Sequence, residues 1–110
     1  KNKNNNRAGG IYYIHSGRGM LHEEEPIISG GPLHWLQLWF SPDIYADKLP
    51  DAFTRMIKPE EVPVIETSDH LVRIMIGHAF NLSSPLLPDW PIQYLHVKLH
   101  PGKTIELPLA

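Results

Sequence analysis

The residues of this chain whose types and spacing could do chemistry gather in one short stretch, Gly17-Arg18-Gly19-Met20-Leu21-His22-Glu23-Glu24. In extended backbone, side chains two residues apart project from the same side, so His22 and Glu24 would stand together on one face. An imidazole nitrogen and a carboxylate oxygen placed this way supply two of the three or four N/O ligands that Fe(II), Mn(II) or Zn(II) requires. The same spacing also suits a solvated acidic turn in which His22 makes an ordinary hydrogen bond, because His-x-Glu is a frequent pairing. Spacing alone leaves both readings open.

The other histidines carry less. His15 lies seven residues before His22, across a glycine turn, and reads as a surface turn histidine that the turn could also bring toward the pair. His34 alternates with Leu36 and Leu38, which makes it a core histidine or one bordering a cavity. His96 and His100 share a solvated strand face with Tyr94 and Lys98, and His70 and His78 stand beside turns with no assignment. With no cysteine, the chain has no disulfide framework, thiolate cluster or cysteine nucleophile, so a metal would have to sit among His, Asp and Glu. Gly17-Arg18-Gly19 is too short for a nucleotide-binding loop, and Ser16 sits in no Gly-x-Ser-x-Gly elbow. Trp35 and Trp39 lie in the most apolar run, where packing is the expected role rather than stacking on a ligand.

Short strands must position these residues. The 110 residues suffice for one domain or for parts of two. Twelve acidic against ten basic side chains, for a net charge of −2, exclude a dominant basic face for nucleic acid. No run approaches the roughly 18 apolar residues of a membrane-spanning helix. Eleven prolines and eight glycines spread along the chain suit strands separated by turns, hence an all-β protein of the sandwich or barrel kind. Residues 1–7 are a polar run that reads as a disordered tail or a cut end. Ile11-Tyr12-Tyr13-Ile14 is a strand, and residues 33–40 form the strongest one, apolar on both faces and therefore central and covered on two sides. Residues 51–57 carry Phe53, Met56 and Ile57 at helical spacing and predict the one short helix. Residues 62–66, 71–76, 92–99 and 104–107 are four further strands.

In this setting the run Ile14-His15-Ser16-Gly17-Arg18-Gly19-Met20-Leu21-His22-Glu23-Glu24 resembles the pirin family's Thr-Ala-Gly-x-Gly turn followed by an apolar pair and His-Ser-Glu. Leu33-His34-Trp35-Leu36-Gln37-Leu38-Trp39 is similar to the family's His-Gly-Leu-Gln-Leu-Trp strand, and Leu71-Val72-Arg73-Ile74-Met75-Ile76-Gly77 to its Val-Arg-Val-Ile-Ala-Gly segment. Tyr94-Leu95 and Leu99-His100-Pro101-Gly102 follow its Tyr-Leu-Asp-Val-x-Leu-x-Pro-Gly run. The likeness extends in one order over residues 8–110.

The resemblance implies a bicupin of two jelly-roll β-barrels. Residues 8–88 would form the latter part of the N-terminal cupin and its linker, and residues 89–110 the first strands of the C-terminal cupin. It also implies one non-haem Fe(II) held by three histidines and a glutamate, of which His22 and Glu24 match the third histidine and the glutamate. Family members open flavonols as quercetin 2,3-dioxygenases, and others act as nuclear or cytoplasmic co-regulators that bind a transcription factor. The implied partners are thus a flavonol-like small molecule or a transcription factor, with no direct nucleic-acid contact and no membrane, and the implied compartment is the cytoplasm or a eukaryotic nucleus. In this scheme Glu24 is also the catalytic base for the flavonol hydroxyl, Gly17 and Gly19 permit the turn before His22, and Leu36, Leu38 and Phe40 wall the pocket.

Departures from the pattern matter as well. The family's upstream His-Pro-His, source of the other two histidines, does not occur in this sequence, so the chain is expected to be the middle part of a pirin with two of four ligands and weakened iron affinity. His15 stands in place of Thr, Glu23 in place of Ser or Gly, and His78 where Gly-Glu is usual. An inactive fragment with exposed, self-associating sheet edges is the remaining alternative.

Overall fold

The computed structural model describes residues 5–25, 34–41, 51–88 and 91–109. Among these, regular structure is almost entirely strand. β1 is Ile11–His15, β2 Phe53–Ile57, β3 Val64–Glu66, β4 His70–Ile76, β5 His78–Ala79, β6 Leu82–Ser83 and β7 Tyr94–Leu99, with a three-residue 3-10 turn at Pro59–Glu61. β1 pairs with β2, β5 with β6, and β4 is the middle strand of a three-stranded sheet in the order β3-β4-β7. Both ladders of that sheet are antiparallel. The protein is therefore all-β, in keeping with a partial β-sandwich.

The chain divides into two units, residues 1–13 with 54–110, and residues 14–53. The first contains the core. β4 reads His-Leu-Val-Arg-Ile-Met-Ile, and its period of two sends Val72 and Ile74 to one face, where both are fully buried with Ala79 against Ile65, Leu95, Val97 and Ile105. Burying each such side chain is worth roughly 1.5–3 kcal/mol. The other cluster joins Ile57, Val62, Met75, Ile76 and Leu86. Met75 and Ile76 depart from the alternation because β4 carries a bulge: Ile74 faces Leu95 while Ile76 faces Tyr94, so β4 spends one extra residue there. The β3–β4 turn is held by Thr67, whose Oγ1 accepts from the backbone N–H groups of Asp69 and His70. Arg7 Nη2 donates to both carboxylate oxygens of Glu60, at 2.8 and 2.9 Å.

Several sequence expectations change. The short helix expected over residues 51–57 is strand β2: Phe53 and Arg55 are exposed, Thr54 and Met56 half-buried and Ile57 buried, and pairing with β1 selects extended backbone over the helical spacing. The expected central strand of residues 33–40 is not formed. Leu33 lies outside the described residues, and residues 34–40 are irregular and exposed, with Leu36 at 70% and Trp39 at 83%. A strand apolar on both faces needs ladders on its edges and a layer on each side, and no described strand flanks this one. His34 is thus not a core histidine, Trp35 and Trp39 are not core residues, and Leu36, Leu38 and Phe40 wall no pocket among the described residues. Residues 104–107 form no strand, although Ile105 alone still points into the core.

One element was not anticipated. β5 and β6 close a hairpin in which His78 faces Ser83, through Phe80 and Asn81 at φ +51° and +62°. Two central residues at positive φ make the kind of two-residue turn whose twist matches that of antiparallel strands. Phe is rarely found in that conformation, which is why the sequence gives no turn signal there.

Candidate functional site

The second unit contains the pair singled out by spacing. β1 ends at His15, and the chain then reverses through residues 16–19, closed by a hydrogen bond from the Gly19 N–H to the Ser16 carbonyl at 2.8 Å. Gly17, the first central residue of that turn, has φ +57°, and Gly19 has φ +140°; side chains larger than hydrogen would be strained at both. Beyond the turn the chain is irregular through Glu25.

His22 Nε2 lies 3.2 Å from Glu24 Oε1, so the two residues that spacing put on one face do meet. Both side chains remain partly in water, at 39% and 31% exposure. An ion pair so exposed contributes little to stability, about 0–1 kcal/mol. Its interest lies in geometry. Two donor atoms each about 2.1 Å from one metal ion and at right angles to each other stand about 3 Å apart, the separation seen here. For the imidazole to ligate through Nε2, that nitrogen must shed its proton and Nδ1 must carry it.

Among the described residues no third His, Asp or Glu joins the pair to make a group able to hold a metal. His22 and Glu24 thus supply two donor atoms, which do not by themselves complete the coordination of a borderline divalent ion. Glu23 and Glu25 are exposed.

His15 does not fit the surface-turn reading. It is 8% exposed, and its ring stacks on Phe53 with centroids 5.1 Å apart and planes 18° from parallel. Its Nδ1 accepts a hydrogen bond from the Gly17 N–H at 3.1 Å. A hydrogen-bond acceptor two residues before a glycine turn is a recognisable signal, of the kind Asn, Asp, Ser and Thr provide, and it was present in the sequence. His78, also singled out earlier, bonds Ser83 Oγ through Nδ1 at 2.7 Å across the β5–β6 hairpin. His96 and His100 are exposed, as expected of a solvated face.

Comparison with known proteins agrees with the sequence likeness. The chain is 32% identical to the pirin of Homo sapiens over 101 residues, which is 92% of this chain and 34% of that protein. It is 29% identical over 106 residues to a pirin-like protein of Arabidopsis thaliana, covering 94% of this chain and 34% of the relative. It is also 29% identical over 105 residues to a Pseudomonas aeruginosa protein provisionally named a quercetin 2,3-dioxygenase, covering 90% of this chain and 36% of the relative. The chain thus spans about a third of the length of the curated relatives it matches. No family model matches it, and no solved structure does. No helix among the described residues is long and apolar enough to cross a membrane.

Proposed function

The chain is pirin-like over about nine-tenths of its length, and from that premise we propose that it is the metal-pair-bearing part of a non-haem iron protein related to the quercetin 2,3-dioxygenases. The observation that carries this reading is the 3.2 Å separation of His22 Nε2 and Glu24 Oε1, the two residues that the pirin resemblance names as ligands. The provisional name of the Pseudomonas aeruginosa relative supports the choice of reaction. A bound Fe(II) supplies an open coordination position at which a flavonol and dioxygen can meet.

The residues of this chain then have separate tasks. His22 holds the ion through Nε2, with its proton displaced to Nδ1. Glu24 would either hold the ion through Oε1 or serve as the base for the flavonol hydroxyl, a role that requires hydrogen-bond reach of about 2.6–3.2 Å. Gly17 and Gly19 allow the turn that leads into the pair. In this reading the other two ligands are the histidines of the family's upstream His-Pro-His, which does not occur in this sequence, and the compartment is the cytoplasm or a nucleus.

Metal content and quercetin consumption by the full-length protein, with Fe(II) supplied, test the reading. The expected result is bound iron and quercetin loss that His22→Ala abolishes. Bound iron without quercetin loss would support the co-regulator reading, in which the metal's state governs binding to a transcription factor. Absence of bound metal at saturating Fe(II) sinks both.

A further inference from the structure

We propose that His15 is the positioning residue of the His22–Glu24 site, its imidazole acting as a clamp on the turn of residues 16–19 that leads the chain into the pair. The inference deepens the metal-site reading and rests on it for the functional meaning of the pair. Its support is independent of any metal.

Two sets of contacts meet at His15. Stacking on Phe53 at 5.1 Å with an 18° interplanar angle, together with 8% exposure, fixes the plane of the ring. With the plane fixed, Nδ1 is turned toward the main chain and accepts from the Gly17 N–H at 3.1 Å. That N–H belongs to the residue at φ +57°, the first central position of the turn, so the bond acts where the backbone is least constrained by sterics. The second bond of the turn, from the Gly19 N–H to the Ser16 carbonyl at 2.8 Å, closes the loop that the first one orients. A side-chain acceptor bonding the N–H two residues on is the geometry of an Asx-turn, built here with an imidazole.

The need for such a clamp follows from the glycines. Two glycines within three residues give this segment more backbone freedom than any other residue types would. Only Arg18, Met20 and Leu21 restrain the path between and beyond them, and residues 20–25 have no ladder to hold them. Without an anchor at the turn, the 3.2 Å approach of His22 to Glu24 would be one arrangement among many. An acceptor at position 15 narrows that set by fixing the point from which the segment departs.

The chemistry assigns distinct roles to ring and acceptor, and substitutions separate them. His15→Phe keeps an aromatic ring against Phe53 and removes the acceptor. His15→Asn removes the ring and keeps an acceptor able to reach the N–H of residue 17. NMR on the 110-residue chain reads both ends of the proposal without metal: hydrogen exchange of the Gly17 amide reports the clamp, and the nuclear Overhauser effect between the His22 ring and the Glu24 side chain reports the pair. The expected result is that His15→Phe speeds Gly17 exchange about tenfold and removes most of the His22–Glu24 effect, while His15→Asn restores both. If His15→Phe speeds exchange and leaves the His22–Glu24 effect intact, the clamp does not position the pair and the inference is overturned. If His15→Asn behaves like His15→Phe although it retains an acceptor, loss of the acceptor is not what disturbs the turn, and the inference is again overturned. Titration of the same three proteins with Co(II) as a redox-inert probe separates the two readings. A wild-type pair intact by NMR that binds no Co(II) sinks the metal assignment and leaves the positioning role standing.

Discussion

Ser84 Oγ donates a 2.7 Å hydrogen bond to the carbonyl of Met75, the extra residue of the β4 bulge, and accepts a second from the Leu86 N–H at 3.0 Å. A bulged residue has no ladder partner of its own, so its buried carbonyl must be satisfied from elsewhere, and one hydroxyl serves it and the chain leaving β6 together. Ser84→Ala leaves both main-chain groups unpaired in a buried setting. The expected loss is about 1–3 kcal/mol of unfolding free energy, read by urea denaturation; a loss under about 0.5 kcal/mol would mean that water replaces the hydroxyl.

Gly77 follows the bulge at φ +86°, and a Cβ built there would overlap the Ile92 carbonyl. Gly77→Ala is therefore destabilising twice over, through backbone conformation at about 1–3 kcal/mol and through the clash in addition. A melting temperature unchanged by the substitution would contradict this account of the β4–β5 junction.

Ile74 is fully buried on the apolar face of β4. Ile74→Ala removes three methyl or methylene carbons from a packed site and should cost about 2–5 kcal/mol, with the denaturant slope unchanged if only stability is affected.

Glu60 is held below its ordinary carboxyl range, first by a hydrogen bond from its own backbone and then by Arg7. A carboxyl with a lowered folded-state pKa adds stability above its unfolded pKa of about 4.3, and that stability is lost as pH falls through the folded value. The difference in melting temperature between wild type and Glu60→Gln should thus be present at pH 7 and disappear in acid below the ordinary carboxylate range. Both partners are well exposed, so the difference is small and shrinks further in salt. A difference that grows on acidification would reverse the sign.

His22→Ala and Glu24→Gln touch an exposed pair and should leave unfolding free energy within about 0.5 kcal/mol of wild type. Co(II) affinity should nevertheless fall by on the order of tenfold or more in each, because each removes a donor atom. The double variant should lose less than the two single losses added together, since both act on one ion. Additive losses in a titration calorimeter would mean that the two residues do not share a metal.

Much of this could be read from residue types and short spacings. Proline and glycine density pointed to all-β structure, and β1, β3, β4 and β7 fall within or beside the apolar runs that predicted them. The contact of His22 with Glu24 was legible because two side chains two residues apart are local neighbours, and their likeness to pirins is a property of residue order. Pairing decided the rest. Phe53, Met56 and Ile57 satisfy a helix and a strand equally well by spacing, and the ladder with β1 chose the strand. Residues 33–40 carry the most apolar pattern in the chain, yet residues 34–40 lie exposed, because burial needs flanking strands and covering layers that no pattern within a segment can supply. The place of His15 was decided in the same way. Its type and its distance from Gly17 were visible in the sequence, but the Phe53 ring that fixes its plane lies 38 positions away and reaches it only through the β1–β2 pairing.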